Sequence, residues 1–470
     1  MKHQSPMKIT WFLLLLVFPA APQAVAQTAD STQSDSAMAA QQDSTVNRGV
    51  DYETIRGIER DEKKASNTTR RVANTIFFLP RVLIDTILRT AGFGAVFIDQ
   101  KQIIKKFKDI FYTYDGRIGW YPIINIISGS SNGYGLGVFY KHGYTAGSLK
   151  GVYGNKNIWI VKGDFSHIFF KWRNFWRFNF SGRFEKDDDF FFHGLGPEPL
   201  TDSRSHFRPE TDQTFGIYAQ RRAQFKADLG VRTSPDWEFF FTTFYQNRNI
   251  EDPAGENPAN FTNVFDVDRL PGFNTNIKKW YTEISARFDN RETLTKIGPG
   301  ARLEGYMGFS RGLNDDNERL FRTGIDAALF YPILRRNRIL IPRVILDHVN
   351  DLSGRTEISF HEYPRHVEFR AVRSKELLRN DFYTLQTSLE YLWPLTYHLN
   401  AHLFYERVTV AKQLSKFSYS SAPWAVGFGM DIHTQYTEIG RFYVTYGSEG
   451  WFFRFTAGFS LINSDRGDWK

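Results

Sequence analysis

Residues 280–288 read Trp-Tyr-Thr-Glu-Ile-Ser-Ala-Arg-Phe. The even-numbered positions, from Trp280 to Phe288, carry apolar or small side chains, whereas the odd-numbered positions include Glu283 and Arg287. Because successive side chains of a β-strand point to opposite faces, this stretch predicts a strand with one apolar and one polar face. Such a strand suits a wall between hydrocarbon and water.

The same alternation recurs along most of the chain, for example at 176–181 and at 451–460. It begins near residue 112 and continues to about residue 463. We therefore predict an all-β fold over 112–463, a transmembrane antiparallel β-barrel. The region allows roughly 22 residues for each of about 16 strands, and about 10 residues suffice for a tilted strand to cross a bilayer. Stretches rich in proline and glycine at 194–211, 252–276 and 350–366 are predicted to be long loops.

The first 26 residues have the three parts of a secretory signal peptide. Lys2 and Lys8 supply positive charge, residues 9–17 are almost entirely apolar, and Ala24-Val25-Ala26 has the form of a cleavage site. The apolar run is too short for a membrane-spanning helix with anchors at both ends. We therefore expect export and an outer-membrane location.

The remaining segments outside the barrel region have different compositions. Residues 27–72 are predicted to be a polar tether, because they open with a stretch rich in Gln, Ser, Thr and Asp that lacks core-forming side chains. Residues 73–111 show apolar residues at helical spacing and then a basic stretch, which predicts an amphipathic helical segment. It either lies at the inner membrane boundary, enters the barrel, or packs beneath it. Residues 464–470 are predicted to be a C-terminal tail.

Composition narrows the class of protein. No run of 18 apolar residues follows the signal segment, which excludes helical membrane spans. The net charge is +8, but the basic residues alternate with aromatic residues instead of clustering. Charges in a barrel lumen, or at its rim beside lipid phosphates, explain this better than nucleic-acid binding, which we do not expect. The absence of cysteine fits export to an oxidising compartment.

Several motifs together resemble the BamA/TamA-type outer-membrane barrels, also called bacterial surface antigens. The segment 190–198 is similar to the family's glycine motif, with Gly194 and Gly196. Residues 288–300 are similar to the family hairpin motif, with Asp289, Arg291 and Gly300. Further matching stretches follow in the expected order at 331–334, 389–395, 404–408 and 447–459. No pattern of periplasmic receiving domains is apparent in 27–111, so we expect these domains to be absent.

The resemblance also implies a loop that folds into the lumen. In the family its tip carries Arg-Gly-aromatic, and the matching residues are Arg370-Ala371-Val372. The tip arginine is held by acidic residues of the barrel wall, which correspond to Glu390 and Glu406. A guanidinium between two carboxylates is favourable, because it neutralises their repulsion and binds each of them through two hydrogen bonds. Arg370 is therefore expected to bridge Glu390 and Glu406; the alternative is separate, solvated lumen charges.

Three other patterns could carry chemistry. Residues 129–133 fit Gly-x-Ser-x-Gly, but this nucleophile motif needs a strand that leads into a helix, and here it lies between two strand-like runs. His361-Glu362 with His366 misses the zinc-helix spacing by one residue. Residues 187–189 are three consecutive aspartates that could hold a cation or simply end a strand. We therefore expect no enzyme activity, metal or cofactor.

The leading functional hypothesis is an outer-membrane barrel of the protein assembly and translocation superfamily. It would act through a lateral seam between its first and last strands, without nucleotide hydrolysis. Its expected partners are outer-membrane lipids, and nascent outer-membrane proteins or partner lipoproteins. The alternatives are a passive pore or structural barrel without insertase activity and, supported by the serine motif alone, a lipase. Candidate first strands are 116–124 and 133–141, and the candidate last strand is 451–461.

Overall fold

The computed structural model describes residues 117–457, with gaps at 128–132, 155–157, 172–173, 274, 292–297, 315–317, 334–337, 355–357, 365–378, 397–398, 421, 434–437 and 449. The strands are β1 Ile118–Ile127, β2 Gly133–His142, β3 Thr145–Gly154, β4 Ile158–Lys171, β5 Asn174–Phe192, β6 Gly216–Arg232, β7 Trp237–Glu251, β8 Asn276–Asp289, β9 Gly300–Gly312, β10 Arg319–Pro332, β11 Ile339–Asp351, β12 Tyr383–Thr396, β13 Leu399–Ala411, β14 Trp424–His433, β15 Glu438–Gly447 and β16 Gly450–Ala457. The described helices are the short α-helix Phe261–Val264 and the 3-10 turns Ser203–Ser205, Phe360–Glu362 and Leu414–Lys416.

The sixteen strands form one closed antiparallel barrel in which each strand pairs with its neighbours in sequence. Pairing between β1 and β16 closes the ring. The predicted fold class and strand number are therefore confirmed. The first strand begins at Ile118 and the last described strand residue is Ala457, both inside the predicted barrel region.

Side chains are sorted between the two faces of the wall as the alternation predicts. On β8, Trp280 and Ile284 are 47% and 54% exposed on the outer face, whereas Tyr281 and Glu283 are buried on the inner face. Ion pairs line the interior, and exposed Phe, Leu, Ile, Tyr and Trp side chains cover the exterior. A closed wall with an apolar exterior is a membrane-spanning barrel of the outer-membrane type.

The two ends of the barrel differ. The connections at the end where β1 starts and β16 finishes are short, such as 143–144 and 233–236. The opposite end carries the long connections, at 193–215, 252–275 and 352–382. Because outer-membrane barrels have short periplasmic turns and longer extracellular loops, the long connections lie at the extracellular end. The three predicted long loops are confirmed.

Tyrosine rings inside the barrel cover glycines of the neighbouring strand. A Cβ atom added at Gly308 of β9 would lie 2.1 Å from the Tyr281 hydroxyl of β8. The same relation joins Tyr121 of β1 to Gly137 of β2. These positions require glycine because the ring occupies the space of a side chain.

Four predicted segments lie outside the described residues: the signal peptide 1–26, the tether 27–72, the helical segment 73–111 and the tail 464–470. None of the described helices is long and apolar enough to cross a membrane.

Candidate functional site

The three long loops pack together at the extracellular mouth of the barrel. Phe360, in the 3-10 turn of the β11–β12 loop, lies with its ring centroid 5.0 Å from that of Phe192 and 4.8 Å from that of Phe261. It also meets Tyr218 of β6 edge-on at 5.2 Å. These rings belong to one buried apolar cluster that draws on all three loops and on the ends of the strands beneath them. Aromatic burial of this extent holds the loops in one arrangement.

A buried carboxylate anchors the β11–β12 loop to the barrel wall. Glu362 lies 2.6 Å and 2.8 Å from Lys279 Nζ of β8 through its two carboxylate oxygens. Arg322 of β10 donates to the Glu362 carboxylate at 2.5 Å and to its backbone carbonyl at 2.6 Å. Arg248 of β7 lies 3.6 Å away. One loop carboxylate thus lies among cations from three strands, and we call this group the Glu362 anchor.

The charge states at this anchor follow from its burial. Burial by itself would raise the pKa of Glu362, but the Lys279 ammonium beside it, the hydrogen bond from His361 and the Arg322 guanidinium bring that pKa well below its usual value. Burial, together with the neighbouring Arg248 guanidinium, lowers the pKa of His361 to about 3. Glu362 is therefore ionised and His361 neutral at physiological pH.

The predicted glycine motif lies at the start of the β5–β6 loop. Gly194 and Gly196 have φ angles of 90° and 83°, which favour glycine. Leu195 forms an isolated bridge with Asn380, and Gly196 N donates to the Asn380 carbonyl at 2.9 Å. The motif thus joins the β5–β6 loop to the end of the β11–β12 loop. Its functional role stays a prediction.

Arg204 strengthens that junction. Its guanidinium donates to both carboxylate oxygens of Asp381, at 2.9 Å and 3.0 Å, and to both oxygens of Asp202, at 3.0 Å and 2.6 Å. Burial by itself would lower the pKa of Arg204, but the hydrogen bonds that it donates to Asp381 and Asp202 raise that pKa above its usual value. This double fork clamps two loops that are 177 residues apart in sequence.

The structure describes the two acidic residues of the predicted lumen-loop contact but not its arginine. Arg370 lies outside the described residues. Glu390 and Glu406 are on adjacent strands, β12 and β13, and the side chains of Leu389 and Tyr405 beside them are exposed on the outer face. Glu390 accepts from His402 Nδ1 at 2.7 Å, and Nε2 of the same ring lies 2.8 Å from Asp431 of β14. The bridge from Arg370 stays a prediction.

The predicted hairpin motif lies at the short-turn end, between β8 and β9. Arg291 makes a two-pronged contact with Asp289, at 2.9 Å and 2.8 Å, and its guanidinium lies 4.4 Å from the centre of the Phe330 ring of β10. Gly300 has a φ of 148°, and a Cβ there would lie 2.8 Å from the Asn290 side chain. The motif is thus far along β8 from the Glu362 anchor, and its function stays a prediction.

The seam between β1 and β16 is a second candidate site. Four residue pairs join these strands within the described residues, from Ile124–Ala457 to Ile127–Arg454. In contrast, eight pairs join β1 to β2 and eight join β15 to β16. The described pairing of the seam ends at Ala457, the last described residue, and it identifies β1 and β16 as the strands that close the ring.

The Glu362 anchor was missed by sequence reasoning. In the sequence, His361-Glu362 matched only an incomplete zinc-binding pattern. The partners of Glu362, which are Lys279, Arg248 and Arg322, are distant in sequence and could not be identified from it. The available signal was a carboxylate inside an apolar loop segment, which requires a cationic partner.

Across the described ranges, no group of three or more His, Asp or Glu side chains is arranged to hold a metal ion. His366 and residues 129–132 lie outside those ranges.

The chain was compared with known proteins. No family model and no curated protein matches it. It is similar to the crystal structure of BamA from Haemophilus ducreyi lacking POTRA domains 1-3, at 12% identity over 73% of this chain and 70% of that chain, with a TM-score of 0.47. CdiB from Acinetobacter baumannii is 9% identical over 72% and 59%, with a TM-score of 0.46. A bacterial polysaccharide outer membrane secretin is 8% identical over 73% and 97%, with a TM-score of 0.36.

The barrel architecture itself is established by the strand pairing of this chain.

Proposed function

We propose that this protein assembles or translocates other outer-membrane proteins through the seam between β1 and β16, without nucleotide hydrolysis. The observation that carries the proposal is that the first and last strands of the barrel, β1 and β16, close the ring by pairing with each other. When these two strands separate, each presents a strand edge with free backbone N–H and C=O groups to an incoming strand. Pairing with that edge would supply the driving force for insertion of a nascent barrel.

The passive pore is the second candidate function. The interior charges favour it, because a polar lumen admits water and ions. The extracellular mouth weighs against it, because the buried aromatic cluster and the Glu362 anchor hold the β11–β12 loop inside the wall. A pore would require that loop to leave the mouth.

A disulfide across the seam tests the proposal. The chain has no cysteine, so Ile124→Cys with Ala457→Cys places a single pair at directly opposite positions of β1 and β16. The matched control is Ala301→Cys with Leu329→Cys, which are register partners on β9 and β10. Each purified full-length variant is reconstituted in liposomes, and the folding rate of a second, urea-unfolded outer-membrane barrel is measured in oxidised and reduced states.

We expect the wild type and the control to accelerate folding in both states. The seam variant should accelerate it only after reduction, because the covalent bond removes the free edge. Equal acceleration by the oxidised seam variant would contradict the proposal. Ion conductance without any folding activity would favour the passive pore, and fatty-acid release would favour the lipase.

A further inference from the structure

On three adjacent strands, the row of outward-facing apolar side chains ends in a basic residue. On β8, β9 and β10 the outer-face positions are largely apolar through the membrane-spanning part and then reach an exposed basic residue near the extracellular end. These residues are Lys278, Arg311 and Arg319. On the same face, toward the periplasm, lie Trp280, Phe309 and other side chains that are 40–54% exposed, among them Ile284, Met307 and Ile325. The cations therefore lie where hydrocarbon gives way to lipid headgroups.

The register brings the three cations together. Arg311 and Arg319 are directly opposite each other on β9 and β10. Arg311 is also opposite Trp280 of β8, so Lys278 is its diagonal neighbour on the outer face. Directly opposite side chains of antiparallel strands have Cβ atoms about 5 Å apart, and diagonal neighbours are about 7 Å apart. Like charges at such positions destabilise the sheet unless an anion lies between them.

The protein supplies no such anion in the part of the chain that the structure describes. The side chains of Lys278, Arg311 and Arg319 form no ion pair there. The comparable cations of β5 and β6 differ. Lys186 lies 3.3 Å from Asp188, and Arg221 lies 2.7 Å from Glu251. Within the described residues, the cations of β8 to β10 thus differ from those of β5 and β6 in having no carboxylate partner.

We propose that Lys278, Arg311 and Arg319 form a binding site for the phosphate groups of an anionic lipid of the outer leaflet. Its acyl chains would lie along the exposed apolar side chains of β8 to β10, with Trp280 at the boundary. Arginine suits this role because its planar donors bind phosphate oxygens in pairs, and a bound phosphate removes the repulsion between Arg311 and Arg319. The proposed ligand is a membrane lipid because the three cations border the apolar band of the outer surface.

Lipid retention tests the site. The full-length protein is purified, incorporated into phosphatidylcholine nanodiscs that contain a minor fraction of bisphosphorylated lipid A, and analysed by native mass spectrometry. The test variant carries Lys278→Gln, Arg311→Gln and Arg319→Gln. The matched control carries Lys186→Gln and Arg221→Gln, which remove cations that are already neutralised. Parallel nanodiscs contain dephosphorylated lipid A, and a further sample contains an excess of inorganic phosphate.

We expect the wild type and the control to retain bisphosphorylated lipid A. The test variant should retain at least about tenfold less of this lipid, because each basic residue near a membrane surface increases lipid affinity several-fold. Dephosphorylated lipid A should not be retained by any of them. Equal retention by the test variant and wild type, or equal loss in the test and control variants, would overturn the proposal. Displacement of the lipid by inorganic phosphate would also overturn it, since the site would then bind free phosphate. A heat-unfolding curve confirms that each variant is folded.

Discussion

Glu362 and Lys279 are 83 residues apart in the chain, and their charged atoms lie 2.6 Å apart inside the mouth of the barrel. The contact joins a loop to the wall of β8, and Arg322 and Arg248 complete it. The family that the motifs resemble holds its lumen loop by an arginine on the loop and carboxylates on the wall. Here the described contact has the opposite polarity, with the carboxylate on the loop and the cations on the wall.

Replacement of Glu362 should release the β11–β12 loop. Glu362→Gln removes the carboxylate that Lys279 and Arg322 contact inside the mouth, and breaking a buried ion pair in this way typically destabilises by about 3–5 kcal/mol. We expect a lower unfolding temperature in detergent and a higher ion conductance in planar bilayers. Glu210→Gln is the control, because the Glu210 side chain is 67% exposed and lies 3.8 Å from its only described salt-bridge partner. Unchanged conductance would show that the anchor does not close the mouth.

Acid should loosen the same loop. The pKa of His361 is about 3 in the docked loop and 6.5 when the residue is free, so protons favour release as pH falls below 6.5, by up to about 1.4 kcal/mol per pH unit. The docked Glu362 has a lowered pKa, so its contribution is present above about pH 4.5 and is lost below it. Protease cleavage in 352–382, measured from pH 7.5 to 4, should increase as pH falls. His361→Gln should remove the change between pH 6.5 and 4.5, and an identical profile would contradict this assignment.

Gly308 should not tolerate a side chain. In Gly308→Ala the added Cβ would fall 2.1 Å from the Tyr281 hydroxyl, so the ring must move away from its hydrogen bond to Glu283. Overpacking of this kind destabilises by about 1–3 kcal/mol, which urea unfolding in detergent would measure. Gly305→Ala on the same strand is the control, because nothing lies within 4 Å of a Cβ there. Equal effects of the two substitutions would argue against the ring as the cause.

The Arg204 clamp should depend on the shape of its guanidinium. Arg204→Lys retains the charge but cannot form the four-bond fork to Asp202 and Asp381, so we expect a loss of about 1.5–3 kcal/mol in loop stability. Hydrogen exchange of residues 193–215 would measure it. Arg269→Lys, an exposed position in the β7–β8 loop, should leave the exchange unchanged. If residues 193–215 keep their protection from hydrogen exchange in Arg204→Lys, a positive charge alone is sufficient to hold the two loops together.

The bridge predicted for Arg370 can be tested through stability. Arg370→Ala should lower the unfolding temperature if the guanidinium neutralises Glu390 and Glu406, because two neighbouring carboxylates then lose their counter-ion. Arg373→Ala serves as the control. Heat stability equal to that of the wild type would favour separate lumen charges, with Glu390 satisfied by His402.

The sequence determined the barrel. Alternation such as that of residues 280–288 is a local property, because the period of two sorts side chains between faces without reference to distant residues. It predicted the outward positions of Trp280 and Ile284, while the length of the region predicted about 16 strands and the proline- and glycine-rich stretches predicted the three long loops. The structure bears out all three predictions.

Only the tertiary structure decided which charges meet. Glu362, Lys279 and Arg322 come from a loop and two strands, and Arg311 and Arg319 become neighbours only through the register of β9 and β10. Contacts of this kind depend on strand order, shear and loop path, which a local period does not encode. The distribution of charge between lumen, mouth and lipid-facing rim is therefore a property of the closed ring, whereas the wall itself follows from the chain.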